Sequence, residues 1–377
     1  MVVLNNFTHD ARVHKEAKTL ASAGYDVTVF ALWQEGLEKY EKRSGYHIKR
    51  LQVYARHKQG GLLTPLLKYI SFVVQMWKQT ARQSIQAYHA HDEKPLPLTW
   101  LLARRDKASL IYDAHEFETG RHFDNSRLSG IYHRMWAWPE RLFIRKADAV
   151  ITVSKSIAGQ LSLLYRISQP TVIMNCPEKQ VVQKPISLHR KLGIPSNYKI
   201  VMYQGGVTKG RGIEQFLEAI QLLPNVAGIV LGNGPLLTTL RSQVREGKWQ
   251  HVFLPGRVPL NDLLNYTSAA DIGVVLTQNT CLNHYYSLPN KLFEYMQAGI
   301  PIVGSDLQEI ARIIQEYKVG ATVNPDDPKD IANALRYLLD NPKQYAQIKI
   351  NTISAATIFN WENESIKLLQ IYQKLDS

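Results

Sequence analysis

Tyr286-Ser287-Leu288-Pro289-Asn290-Lys291-Leu292-Phe293-Glu294-Tyr295-Met296, then Ala298-Gly299-Ile300-Pro301 and Ile302-Val303-Gly304-Ser305-Asp306, is the stretch whose reading decides the fold. It predicts a short helix over Leu288–Ala298, with Ser287 as N-cap and Pro289 early, stopped by Gly299 and Pro301. Ile300 to Val303 then reads as a buried strand. A helix start offers unpaired N–H groups and a partial positive charge, which suit a phosphate. Glu294, two turns in, is placed to reach sugar hydroxyls. A nucleotide-sugar site would need both.

The rest of the chain supplies the frame. Its 377 residues exceed one ordinary core, so two domains are expected. Strands are predicted at Val2–Leu4, Val27–Leu32, Ile48–Val53, Ala87–Ala90, Leu110–Asp113 and Ala149–Val153, with a helix from Asp10 to Ala23. After a polar stretch near Glu178–Pro185 the alternation restarts. Strands follow at Ile200–Tyr203, Ala227–Leu231, Val252–Leu254, Ile272–Leu276 and Ile300–Val303. Helices fall at Ile213–Leu222, Pro235–Glu246, Leu260–Ala269, Leu288–Ala298, Leu307–Glu316 and Pro328–Asn341. Two strand–helix series predict an α/β fold of two doubly wound, parallel-sheet, Rossmann-like domains facing a central cleft. The expected domains are 1–183, joined by a C-terminal helix over 360–377 that returns to it, and 184–359.

Ligands in such sheets bind beyond the strand carboxyl ends. Gly205-Gly206, Gly232-Asn233-Gly234, Gly256 and Gly304 each follow a predicted strand, which favours a pocket at that edge. The loop Gly205-Gly206-Val207-Thr208-Lys209-Gly210-Arg211-Gly212 permits close backbone approach, and Lys209 and Arg211 offer cations for a diphosphate. A flexible basic turn is the plain alternative. In the first half, His89 and His91 follow one strand and His115 another, with Asp113 and Glu116 beside it. His115 is the better candidate for proton handling or polar contact, although a strand-end histidine is often structural. No metal-ligand spacing and no strand-end Asp-x-Asp occurs, so no metal and no cofactor is expected.

Charge is uneven. Residues 1–185 carry 27 Lys/Arg against 16 Asp/Glu, whereas residues 186–377 carry 18 against 16. The basic half points to a polyanionic partner, anionic lipid or nucleic acid, or else to a solvated basic surface. An apolar helix with Trp77 is predicted between Gly61 and Arg82, with Lys49, Arg50, Arg56, Lys58, Lys68, Lys78 and Arg82 interleaved or beside it. It reads as a membrane-interface helix or as an ordinary packing helix. The basic residues are not interleaved with exposed aromatics in any known module pattern, so nucleic acid is not expected. Two distant cysteines, Cys176 and Cys281, argue for a reducing compartment, and no signal or spanning segment is visible. The expectation is a cytoplasmic protein, soluble or bound at the inner membrane surface.

The order of motifs resembles the GT-B glycosyltransferases of family 4, which build bacterial surface polysaccharides and glycolipids. The resemblance runs through Asp10-Ala11-Arg12-Val13, His89-Ala90-His91-Asp92, Asp113-Ala114-His115-Glu116, Tyr203-Gln204-Gly205-Gly206, Ser287 to Ile302 and Trp361-Glu362. It implies metal-independent, retaining transfer of a hexose-type sugar from a UDP- or GDP-sugar to a lipid-linked or polysaccharide acceptor. It implies a diphosphate held by Gly206, Lys209, Arg211 and the amides of Asn290 and Lys291. Glu294 would hold the ribose, and His115 would contact the donor sugar near the reacting bond. Tyr286, Ser287, Pro289, Gly232 and Val258 are expected near the donor's sugar or base, and Asp10, Arg12 and His91 on the acceptor side. Two positions depart from the family: Tyr286 stands where its first glutamate stands, and Gly206 where an arginine commonly follows the first loop glycine. A nucleotide-sugar epimerase of this fold and a non-catalytic glycan or polyanion binder are the alternatives.

Overall fold

Helix Ala11–Ser22 starts where the sequence predicts, because the Asp10 carboxylate accepts a hydrogen bond from the Val13 amide. Its apolar face, with Val13, Ala17 and Leu20, is buried against the first of two sheets. The structure, a computed structural model, describes residues 1–53, 64–121, 138–182 and 186–376. Two units emerge: Met1–Met174 with Ser365–Ser377, and Asn175–Glu364. The sequence pattern predicts these boundaries at 183/184 and 359/360.

The first unit holds β1 (Thr28–Leu32), β2 (Tyr40–Arg43), β3 (Tyr46–Leu51), β4 (Ala87–His91), β5 (Ser109–Ala114), β6 (Ala149–Thr152) and β7 (Thr171–Val172). The predicted strand over Val2–Leu4 is reduced to a bridge at Val2, which pairs in parallel with Phe30 on one side and Ala90 on the other. That bridge joins the order β1-β3-β2 to the order β4-β5-β6-β7. All pairings are parallel except β2 with β3. Ser44 and Gly45, at φ 48° and 89°, make the two-residue turn that folds β2 back. Glu41, Lys42 and Arg43 suit a charged edge strand but supply no apolar run, so β2 was not predicted.

The second unit holds β8 (Lys199–Gly206), β9 (Val226–Asn233), β10 (Val252–Gly256), β11 (Ile272–Val275), β12 (Ile302–Ser305) and β13 (Gly320–Val323). The order is β10-β9-β8-β11-β12-β13, every pair parallel. Counted within the unit this is 3-2-1-4-5-6, the dinucleotide-fold order whose chain direction reverses between β8 and β11. The strands are uncharged aliphatic runs such as Ile200-Val201-Met202-Tyr203 because helices cover both faces. Val201, Tyr203, Phe216, Val230, Val274 and Leu335 belong to one buried cluster.

Gly304 lies inside β12, and a Cβ there would stand 2.4 Å from Ile314 Cδ1, so this glycine serves helix packing rather than the strand-edge pocket. Helix Pro342–Ile358 was not predicted. Its apolar residues run all round it, with Ile348 and Ala355 buried while Ile350, Ile353 and Ile358 are exposed, so no single stripe announces it. The last helix, Trp361–Asp376, begins in the second unit and ends in the first.

Candidate functional site

The predicted helix start is present, with its entry redrawn. Helix Asn290–Gln297 begins after Pro289 at φ −65° and ψ 134°, and no side chain caps it. Ser287 is therefore not its N-cap. The Ser287 hydroxyl instead donates to the His284 carbonyl, 3.0 Å away, at the end of a separate short helix, Leu282–Tyr286. Tyr286 ends that helix, half-buried, its ring edge-on to Tyr285 at 5.2 Å. With Pro289 in place of a polar cap, the first amides of the helix have no side-chain acceptor of their own.

The helix is fixed to the sheet where β8 and β11 diverge. The Tyr295 hydroxyl accepts from the Gln204 amide at 3.0 Å and donates to the Met202 carbonyl at 3.0 Å. Its ring lies on Gly273, where a Cβ would be 2.5 Å from the ring carbons. Gln204, 1% exposed, spends its side chain on two neighbours: its amide donates to the Glu294 carboxylate and accepts from the Thr267 hydroxyl at 2.8 Å. Gln204 thus orients Glu294, a role the sequence reading did not assign.

Around this start the charge is cationic. Lys291 is 8% exposed, and its ammonium sits 3.7 Å from the Tyr203 ring centroid. It makes no hydrogen bond or ion pair among the described residues. Burial, then the nearby Arg211, holds its pKa down to about 7, with Glu294 acting the other way. Its Cε and Nζ lie against Gly205, 3.7 and 3.8 Å from where a Cβ would stand. Gly205 has φ +117°, and a Cβ on Gly232 would come within 1.8 Å of the Gly205 carbonyl oxygen, so the ends of β8 and β9 close together only as glycines. Gly206 and Lys209 are exposed, Arg211 half-buried, and Val258 sits half-buried in the loop after β10. Gly206, Lys209, Arg211, Asn290, Lys291, Glu294, Gly232 and Val258 therefore all belong to the carboxyl-end side of one sheet.

The first unit carries a different cluster at its own strand ends. Arg12, 3% exposed, donates from Nε to Asp113 Oδ2 at 2.7 Å and from Nη2 to Oδ1 at 2.8 Å, with Nη1 on the Ile173 carbonyl. Glu16 lies 3.1 Å from the same guanidinium. His115 Nε2 stands 2.9 Å from Asp113 Oδ2 and 3.2 Å from His91 Nδ1, and its Nδ1 faces Asp92 at 3.6 Å. Burial pulls the His115 pKa down, but Asp92 and Asp113 outweigh it and raise it to about 10. His115 is thus an imidazolium at neutral pH, a fixed positive charge rather than a base. Arg12 is spent entirely inside the unit, so its expected contact with an acceptor has no exposed group to make it.

A cavity of about 220 Å³ opens beside this cluster, lined by Asp10, His91, Asp92, Glu93, His115 and Glu118 among others. Burial, then neighbouring carboxylates, raises the Glu93 and Glu118 pKa values to about 7. Larger hollows of about 940 and 910 Å³ touch strand beginnings, Gly320 in one and Thr28 and Ala87 in the other, opposite the edge where doubly wound sheets bind ligands. Glu16, His89, His91 and Asp113 bring possible metal-ligand atoms within 4.8 Å of one another. Arg12 already meets both carboxylates there, so a divalent cation would face a fixed guanidinium.

Helix Thr64–Thr80 realises the described part of the amphipathic prediction; Arg56, Lys58, Leu62 and Leu63 lie outside the described residues. It buries Phe72 and Met76 and exposes Leu66, Leu67, Ile70, Val74 and Trp77, with Arg105 stacked on Trp77 at 4.5 Å. No described helix is long and apolar enough to cross a membrane.

Two parallel-sheet, Rossmann-like units of this kind make up the GT-B fold. The family models agree: Glycosyltransferase Family 4 matches residues 11–176, and Glycosyl transferases group 1 matches residues 186–355. The chain belongs to the family 4-like GT-B glycosyltransferases, a transferase rather than an epimerase or a non-catalytic binder. It is 22% identical to the glycogen synthase of Mycobacterium tuberculosis over 96% of this chain and 89% of that one. Among solved structures it is similar to sucrose-phosphate synthase from Thermosynechococcus elongatus, with a TM-score of 0.81, 20% identity and coverage of 96% and 92%. Anabaena HepE in complex with UDP-glucose gives a TM-score of 0.74, 15% identity and coverage of 99% and 98%.

Proposed function

We propose that this glycosyltransferase moves a hexose-type sugar from a UDP- or GDP-sugar to a lipid-linked or polysaccharide acceptor, with retention of configuration and without a metal. The observation that carries the donor half is the pair of loop cations Lys209 and Arg211, neither of which makes an ion pair among the described residues. Fixed cations, glycine backbone and a helix start together match a diphosphate. The similar HepE structure holds UDP-glucose, which supports the same donor chemistry here. Arg211 and Lys209 take phosphate oxygens with the amides of Asn290 and Lys291, and Glu294, oriented by Gln204, takes the ribose hydroxyls. Tyr286, Ser287, Pro289, Gly232 and Val258 lie around sugar and base.

In the transfer, the bond from sugar C1 to the diphosphate oxygen breaks and the acceptor oxygen bonds to C1, its proton leaving with the diphosphate or to water. His115 is proposed as the catalytic histidine, acting as an N–H donor of fixed charge. Asp10 and His91 line the acceptor-side cavity, while Arg12 positions His115 through Asp113. Diphosphate charge is met by side chains and amides, so chelator treatment leaves the rate unchanged.

The deciding experiment screens UDP-, GDP-, ADP- and dTDP-sugars for thermal stabilisation, because a ligand that binds only the folded state raises stability with its affinity. Stabilisation by a UDP- or GDP-sugar, followed by transfer with an α-donor giving an α-product, supports the reading. No stabilisation by any of them overturns it. The exposed apolar stripe on Thr64–Thr80, flanked by Lys68, Lys78 and Arg105, is read as a peripheral contact with anionic lipid on the cytoplasmic face. Partitioning onto anionic vesicles that is unchanged when Lys68, Lys78 and Arg82 all become Glu sinks that part.

A further inference from the structure

Lys291 presents a problem that its backbone amide does not explain. A buried ammonium is costly unless something negative meets it, and natural proteins pair such groups or neutralise them. Here burial excludes water and the nearest contact is the face of Tyr203, whose ring quadrupole offers only part of what an anion would. The charged groups facing it are Arg211, from the loop after β8, which repels it, and Glu294 of its own helix, whose carboxylate is already engaged by Gln204. Tyr203 of β8 keeps its proton, since burial raises its pKa. The side chain is directed along Gly205 toward the end of β8, where the first amides of helix Asn290–Gln297 also lack a side-chain acceptor.

We propose that the Lys291 side chain itself binds the donor: its ammonium, resting on the Tyr203 ring in the free protein, takes a phosphate oxygen of the nucleotide diphosphate. This rests on the donor reading above and adds a group to it. A third phosphate cation then comes from the helix, beside Lys209 and Arg211 of the glycine loop, where Gly206 contributes only backbone. An anion arriving between Lys291 and Arg211 turns their mutual repulsion into shared attraction, so binding also draws a proton onto Lys291 wherever the free ammonium has lost it. The pKa of about 7 puts that uptake in an accessible range.

Isothermal titration of the best-stabilising nucleotide sugar from the panel, and of its parent nucleoside, into wild type, Lys291→Met and Arg211→Ala tests this. Lys291→Met weakens the nucleotide sugar by roughly tenfold or more and leaves the nucleoside unchanged, as expected for a lost hydrogen bond to a charged group. Wild-type affinity for the diester diphosphate also falls as pH rises from 7 to 9, and the fall persists in Arg211→Ala but not in Lys291→Met. Equal losses for sugar nucleotide and nucleoside, or none in Lys291→Met, overturn the inference while Arg211→Ala still reports on the donor site. Should Lys291→Met fail to fold, a flat wild-type pH profile overturns it without any variant. If no nucleotide sugar binds wild type, the donor reading falls first and this one with it.

Discussion

The two strand-end clusters use charge in opposite ways. In the first unit, Arg12 is locked bidentately to Asp113, Glu16 lies beside the same guanidinium, and His115 sits between Asp113 and Asp92. Arg12, Asp113, Asp92 and His115 each have a partner of opposite sign there, while burial and then Asp113 raise the Glu16 carboxyl pKa to about 8. In the second unit, Lys291 and Arg211 repel one another, and neither makes an ion pair among the described residues. A closed set of charges holds geometry; an open set binds something. On the proposed reading the open set meets the donor diphosphate while the closed set holds His115 in place, and residue type alone would not have made that difference.

The largest way to break this comparison is Arg12→Met. It takes the guanidinium from buried Glu16 and from buried Asp113, which keeps only His115, so stability falls by about 3–5 kcal/mol, read by denaturant unfolding. A loss below about 1 kcal/mol would mean the first cluster is not closed. Arg211→Ala belongs to the open set. It costs about 1.5–3 kcal/mol of donor binding or of kcat/KM, with the melting temperature unchanged. If the melting temperature falls instead, Arg211 is structural.

Gly273→Ala tests the frame that holds the open cluster. The added methyl would press the Tyr295 ring from 2.5 Å, costing about 1–3 kcal/mol of stability. Donor affinity should fall alongside, since Tyr295 ties helix Asn290–Gln297 to β8. Unchanged stability would mean the ring moves aside freely.

The two pH profiles have opposite signs. His115, with its pKa raised from 6.5 to about 10, contributes stability fully present below pH 6.5 and lost as pH rises through 10. Lys291, lowered from 10.5 to about 7, costs stability below pH 7, and that cost disappears as pH rises toward 10.5. The stability difference between His115→Gln and wild type therefore shrinks from pH 7 to 9.5. For Lys291→Met the variant's advantage shrinks over the same range. Melting curves of both variants at four pH values would expose parallel profiles, which would erase the contrast.

What was legible in the sequence follows the range of the forces involved. Asp10 capping its helix, the uncharged runs of β8, β11 and β12, and glycines at strand ends are local patterns, and each was read from spacing. The helix of Leu288–Ala298 was foreseen, but its cap was not, because Ser287 had a nearer carbonyl at His284. β2 and helix Pro342–Ile358 escaped because one is charged and the other has no apolar stripe. Gly304 was read as an edge glycine because its neighbour in space, Ile314, is ten residues away in sequence. In the site, Arg211, Glu294 and His115 were visible as residue types. That Arg12 is consumed by Asp113, 101 residues on, and that Lys291 lies on Tyr203 depend on tertiary contacts no local pattern carries.

The bridge at Val2 and the helix Trp361–Asp376 also govern the order in which the protein can be completed during synthesis. Tyr372, far along the chain, hydrogen-bonds His89 at 3.1 Å and packs edge-on against Tyr25 at 5.3 Å. The first unit therefore lacks part of its core until residues 365–376 have left the ribosome, although its strands emerge first. The second unit, continuous from Asn175 to Glu364, has no such wait. The half that is translated first is the half that finishes last, and His89 lacks its Tyr372 partner until then.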